Sequence, residues 1–241
     1  MSRSPPVQPE GGFVLVYDIE TQSLISEVPG HFREDKIRNL DVSCACAVLI
    51  PLELCRDPSD RIRAYEERVE FTFWIDSGKQ GSRVADLLDL MDKAFLIVSF
   101  NGIGFDALVL RQYYTDLTRF CSHMAKQFDV FVGVRAAMPC EKWPKLDWLL
   151  GKNGLNPKEA SGLQAVEWWK TGSPEDRAKL ASYCLADVNL LAQLALLPEL
   201  NVGRAIPIPN YCFGVASAVA ARGRSLSVES EDERQARVLD L

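Results

Sequence analysis

The sequence predicts an α/β domain built on a mixed five-stranded sheet, three antiparallel strands followed by parallel ones, flanked by helices. Three observations carry this. The chain opens on a β-branched and aromatic run, FVLVYDIE at 13–20, and two further strand-like runs follow it. Helical and strand patterns then alternate, and a long, well-capped helical pattern closes the readable part of the chain. A length of 241 residues, 47% hydrophobic and 25% charged, fits one such domain.

Taken in order, residues 13–20 read as a buried strand that ends in carboxylates. Residues 43–50 (SCACAVLI) and 68–75 (RVEFTFWI) form an antiparallel meander with it, the second showing alternation at Val69, Phe71 and Phe73. Residues 51–63 read as a charged loop. Val84, Leu87, Leu88, Leu90, Met91 and Phe95 then lie on one helical stripe, and residues 96–100 (LIVSF) form a short buried strand. Residues 101–104 turn the chain into a helix at 105–114. A strand is expected at 128–132 and shorter helices at 146–150 and 163–169. The last long helix runs to about residue 197, with Ser173 as N-cap, Pro174 at the first helical position and Asp176 reaching back. Beyond Asn210, YCFGVASAVAA packs as a final helix. The expected layout is a flexible arm at 1–12, a domain at 13–221 and a charged, Ser-rich disordered tail at 222–241.

Composition excludes some classes of protein. No apolar run approaches the roughly 20 residues of a membrane-spanning helix, and 1–12 has no apolar core of a leader, so a soluble protein without a membrane partner is expected. The seven cysteines (Cys44, Cys46, Cys55, Cys121, Cys140, Cys184, Cys212) contain no Cys-x-x-Cys pair. Their odd number argues against a complete disulfide framework, and the spacing argues against zinc. A reducing compartment follows, the cytoplasm or the nucleus. Cys44 and Cys46 read as small buried hydrophobes. A net charge of -6 offers no global attraction to nucleic acid, although a protein that concentrates carboxylates to hold cations carries negative charge for that reason.

The carboxylates carry the chemistry. Asp18 and Glu20, two apart at a strand end, leave the same face. A lone pair of this kind is more often the polar start of a loop. Asp106 falls in the first turn of a helix, where the helix dipole alone accounts for an acid. Tyr183 and Asp187, four apart on the last helix, share a face inside an apolar stretch, where a carboxylate must reach solvent or meet a cation. Jointly the three segments offer acids to one point.

DIE at 18–20, NGIGFD at 101–106 and YCLAD at 183–187 resemble the three exonuclease motifs of the DEDD superfamily, in that family's order. Tyr183 stands four before the final Asp, and Ser182 occupies the place of the histidine variant, so the resemblance is to the tyrosine subtype. The wording is similar to the proofreading domains of family B DNA polymerases, and more so to bacterial stand-alone or helicase-linked ribonuclease-H-like domains, through DIETQSLISEV at 18–28 and GLQAVEWWKTG at 162–172. It covers residues 14–197; the insertion at 51–63 and everything after 197 depart from it. The resemblance implies a ribonuclease-H-like fold and a 3′–5′ exonuclease in which Asp18, Glu20, Asp106 and Asp187 hold two Mg²⁺ or Mn²⁺ ions. Tyr183, a weak base, orients the attacking water. The implied partners are a nucleic acid with a single-stranded 3′ end, DNA or RNA, and a helicase or a replication or repair factor.

Substrate contacts are expected at Asn101, Gly102 and Gly104, where the backbone can approach a terminal nucleotide. Phe105 reads as core more than as a stacking wedge. Gln164, Trp168, Trp169 and Lys170 combine amide, aromatic and cation in one segment. Two tryptophans packing a loop onto the fold explain them at least as well. Lys145, Lys152, Lys158 and Lys170 offer phosphate contacts or plain surface solvation. Two other functions compete: a catalytically silent binding module of the same fold, which substituted acids would mark, and a structure-specific endonuclease.

Overall fold

The computed structural model describes residues 12–75, 82–137, 144–156 and 161–202. The chain forms β1 (Phe13–Thr21), a 3-10 turn (Ile25–Glu27), α1 (Arg33–Arg38), β2 (Val42–Pro51), α2 (Arg61–Glu66), β3 (Val69–Trp74) and α3 (Ser82–Lys93). It continues through β4 (Leu96–Ser99), α4 (Asp106–Leu110), α5 (Leu117–Ala125), β5 (Gln127–Asp129) and α6 (Val130–Ala137). Three helices follow: α7 (Leu146–Lys152), α8 (Gly162–Thr171) and α9 (Pro174–Ala195).

The sheet has five strands in the order β3-β2-β1-β4-β5. Strands β1, β2 and β3 pair antiparallel, while β4 and β5 run parallel to β1. This is the ribonuclease-H-like α/β arrangement, with β1 at its centre. Covered on both faces, β1 must be apolar in both parities of its alternation, which explains the run FVLVY. Phe13, Leu15, Tyr17 and Ile19 enter a core shared with α1, α3 and α4. Val14 and Val16 enter the opposite core with Cys44, Cys46 and Val48 of β2 and Leu180, Cys184, Val188 and Leu191 of α9. The α9 spacing of three and four residues is the buried stripe of a helix laid on a sheet. Ser173 begins that helix by accepting the Asp176 N–H at 3.1 Å, with Pro174 at its first position.

The expected strands and the last helix are present, with shifted ends. Residues 51–63 are not a loop. Two 3-10 turns (Leu52–Cys55 and Pro58–Asp60) lead into α2, and Leu52, Leu54 and Cys55 are buried in the core. The strand expected at 128–132 stops at Asp129, because its carboxylate accepts the N–H groups of Phe131 at 3.0 Å and Val132 at 3.4 Å and opens α6 there. Helix α1 buries only Ile37, so its pattern was too weak to read. Helix α5, also unanticipated, is capped by Asp116, whose carboxylate accepts the Thr118 N–H at 2.8 Å. Residues 1–11 of the arm expected at 1–12, the apolar piece after Asn210, the tail at 222–241 and Lys158 lie outside the described residues. Among the described residues no helix is long and apolar enough to cross a membrane.

Candidate functional site

The alternation that buries Val14 and Val16 continues along β1 to Asp18 and Glu20, so the α9-facing side of the strand turns from apolar to acidic at its C-terminal end. Helix α9 brings Asp187 to the same place. One oxygen from each of Asp18, Glu20 and Asp187 lies within 4.8 Å of the others. Asp187 is only 3% exposed and Glu20 9%, so these charges sit largely out of water. Two carboxylates about 4 Å apart repel by about 4 kcal/mol at an effective dielectric constant of 20. A divalent cation turns that repulsion into attraction. Hard oxygen donors in this number suit Mg²⁺ or Mn²⁺, which fits the donor set to the ions expected from the sequence.

Asp106 takes a different position. Beyond the last β1–β4 pair, Val16 with Val98, the backbone of β1 has no strand beside it on that edge, and Asp106 Oδ1 accepts the Ile19 N–H at 3.2 Å. Its carboxylate thus stands at the strand between Asp18 and Glu20, 3% exposed, while remaining outside the tight group of three. Below it lies Tyr17, whose hydroxyl is pushed well above its ordinary range first by burial and then by the Asp106 charge. Gln127 Nε2 donates to that hydroxyl at 3.2 Å and to Ser99 Oγ at 2.7 Å.

Tyr183, one turn before Asp187 on α9, donates its hydroxyl to the Asp187 carboxylate. Burial, then the charges of Asp187, Glu20 and Asp18, raise its pKa far above the ordinary tyrosine range. In the metal-free protein it therefore stays protonated and acts as a donor. Trp168 of α8 holds the ring edge-on, with centroids 6.1 Å apart and planes at 68°.

The 101–104 turn is built by a residue that the sequence reading missed. Asp129, at the end of β5 and 5% exposed, accepts the N–H groups of Asn101 at 2.8 Å and Ile103 at 2.9 Å as well as those opening α6. Asn101 has the left-handed φ of 62°. No local pattern marks this role, because the partners are 28 and 26 residues away.

Gly102 has a packing reason for lacking a side chain. An added Cβ would press on Ser99, 2.5 Å from its Cβ, and lie 3.0 Å from Gln127 Nε2. At Gly104 its one close contact would be the Asn101 side-chain oxygen, at 2.8 Å, with the other Asn101 atoms at 3.6 Å or more. Gly102→Ala should therefore cost about 1–3 kcal/mol and lower the melting temperature by several degrees, measured by circular dichroism. Gly104→Ala should cost less, since the side-chain end of Asn101 can move; an equal or larger loss at Gly104 would contradict this reading.

A cavity of about 500 Å³ opens beside Tyr183 and Asn101, lined also by Phe100, Phe131 and Lys145. Phe100 and Phe131 meet edge to face with centroids 5.7 Å apart. Of the expected substrate contacts, Asn101 and Lys145 face this cavity. Phe105 packs against the core shared by α3 and α4, where the sequence favoured core over a stacking wedge. Gln164 accepts the Ser161 N–H at 3.0 Å, closing the start of α8. Lys170 pairs with Glu27 at 2.6 Å on the exposed surface, holding the Glu27 carboxyl below its ordinary range. Trp169 lies under the Arg177 guanidinium, 3.6 Å from the ring centroid. These groups on α8 have structural partners; the cavity aromatics Phe100 and Phe131 were not singled out in the sequence because both read as strand core.

No family model matches the chain, and no curated protein does. Among solved structures it is similar to the family B DNA polymerase of the hyperthermophilic archaeon Pyrobaculum calidifontis, at 16% identity and a TM-score of 0.49, over 78% of this chain and 24% of the polymerase. It is also similar to Escherichia coli exonuclease I in a zinc-bound complex with single-stranded DNA, at 16% identity and a TM-score of 0.44, over 77% of this chain and 40% of the exonuclease. The same enzyme in complex with an inhibitor gives 15% identity and a TM-score of 0.44, over 77% and 41% of the two chains. The chain spans less than half the length of each of these proteins.

Proposed function

We propose that this chain is a divalent-metal-dependent 3′–5′ exonuclease of the tyrosine subtype, acting on a single-stranded 3′ end of DNA or RNA. The observation that carries the reading is the convergence of Asp18, Glu20 and Asp187 within 4.8 Å, with Asp106 bonded to the strand between the first two. These four carboxylates would hold Mg²⁺ or Mn²⁺. Bound there, the ions supply positive charge to the scissile phosphate and make a water more acidic.

The chain's own groups do the rest. Asp187, fixed on a packed helix, and Asp18, fixed on the central strand, keep their oxygens in place without rearrangement during the reaction. Tyr183, whose hydroxyl hydrogen is on Asp187, orients a water at the reaction centre by accepting one of its O–H groups on the hydroxyl oxygen. The cavity beside it is sized for a terminal nucleotide rather than a duplex. Phe100, backed edge to face by Phe131, offers the base an apolar ring, and Lys145 a charge for a phosphate. A helicase or a replication or repair factor would be the partner that supplies the single strand.

The test is cleavage of 5′-labelled single-stranded DNA and RNA with Mg²⁺, Mn²⁺ or chelator, in wild type and Tyr183→Phe. Wild type should shorten the strand only with metal. Tyr183→Phe should keep its metal affinity by calorimetry and slow the single-turnover rate on the order of ten- to a thousandfold. A wild-type rate in Tyr183→Phe would make the tyrosine structural, and metal-independent cleavage would end the proposal.

A further inference from the structure

The sulfur atoms of Cys44, Cys46 and Cys184 also lie within 4.8 Å of one another, and all three residues are fully buried. The absence of Cys-x-x-Cys spacing hid this group. Cys44 and Cys46 alternate onto the α9-facing side of β2, and α9 brings Cys184 from far along the chain. In the β1–β2 register Cys46 stands opposite Asp18 and Cys44 opposite Glu20, while Cys184 lies three residues before Asp187. The same two strands and helix therefore present oxygen donors at one level and sulfur donors at the next.

We propose that Cys44, Cys46 and Cys184 form a second metal site, for a thiophilic cation of the Zn²⁺ class, directly behind the carboxylates. An ion about 2.3 Å from each of three sulfurs in a plane requires sulfurs about 4.0 Å apart, so at most a small tightening of this triangle is needed. Present contacts are weak enough to give way. Cys184 Sγ donates to the Asp18 carbonyl at 3.7 Å, and Cys46 Sγ lies 3.9 Å from the Ala181 carbonyl and 3.5 Å from Thr72 Oγ1. Zn²⁺ is held by thiolates, so loading the site releases three protons and leaves three thiolates around the ion with one net negative charge, and binding strengthens as pH rises. Soft sulfur selects this class of ion against Mg²⁺, which the carboxylates prefer.

The experiment titrates fully reduced protein with Cd²⁺, a spectroscopic substitute for Zn²⁺, and follows thiolate-to-metal charge-transfer absorption to equilibrium. Wild type and Asp18→Asn should each show the band, undiminished by excess Mg²⁺. Zn²⁺ should abolish it by competition. Cys184→Ser and Cys44→Ala, checked for folding by circular dichroism, should each weaken binding at least 100-fold. Cys121→Ser, at an exposed thiol, should not change it. No band in wild type, or a band of unchanged affinity in the folded cysteine variants, overturns the proposal. Because the band in Asp18→Asn is read without any nuclease assay, its outcome is separate from that of the exonuclease reading.

Discussion

Asp187→Asn is expected to abolish strand cleavage, lowering the single-turnover rate on the order of 10³-fold, and at the same time to raise the melting temperature in chelator. Both effects have one cause. In the metal-free protein Asp187, 3% exposed, lies among two other carboxylates within 4.8 Å. An amide of the same shape removes one charge from that repulsion. A relief of about 1–2 kcal/mol corresponds to a few degrees for a domain of this size. With Mg²⁺ or Mn²⁺ the order reverses. The wild type gains about 2.7 kcal/mol when metal is at 100 times its dissociation constant, whereas the variant, short of one ligand, gains less. Differential scanning calorimetry in both buffers, with single-turnover kinetics, reads all three quantities. A variant that melts lower than wild type in chelator would mean that the Tyr183 hydrogen bond to the Asp187 carboxylate outweighs the repulsion, and one that cleaves at the wild-type rate would remove Asp187 from the site.

The largest expected effect on stability is at Asp129. Its buried carboxylate accepts N–H groups from Asn101, Ile103, Phe131 and Val132. In Asp129→Ala four donors lose their partner, and a cost of about 3–5 kcal/mol follows from about 1–3 kcal/mol for each of them that is buried where water does not reach. Chemical denaturation should show it as a lower midpoint with an unchanged slope. Asp129→Asn keeps one acceptor oxygen and should recover part of the loss. Since the turn carries the chain into α4 and its first residue, Asp106, cleavage and metal affinity should fall together. A loss below about 1 kcal/mol would show that the turn holds its shape without the carboxylate.

How much of this was legible in the sequence depends on the range of each interaction. The acidic end of β1 was readable because strand alternation is strict: if Val14 and Val16 point inward, Asp18 and Glu20 follow. Helix α9 announced itself through Ser173, Pro174 and a long stripe. By contrast, FDVFVGV at 128–134 is apolar without a clear period, and a run of that kind fits strand and helix equally. What settles it is the carboxylate of Asp129, whose bonds reach both α6 and a turn in the preceding strand connection. The buried residues Leu52, Leu54 and Cys55 were masked by the charged residues interleaved with them. Asp106 was legible as a candidate for the site, but its bond to Ile19 N–H was not, since it depends on where β4 ends. Cys184 joins Cys44 and Cys46 only through the packing of α9 on β2, which no local spacing encodes.

The central claim, metal-dependent removal of nucleotides from a 3′ end, is tested most directly by one reaction on two substrates of the same sequence. One is a 5′-labelled linear single strand and the other its closed circle, each as DNA and as RNA, in Mn²⁺ and in chelator. The account predicts stepwise shortening of a linear strand in Mn²⁺, an intact circle, and no change of either in chelator. Cutting of the circle would make the protein an endonuclease. A full-length linear DNA and RNA strand, under conditions where calorimetry shows Mn²⁺ bound, would contradict the account and leave the fold as a binding module.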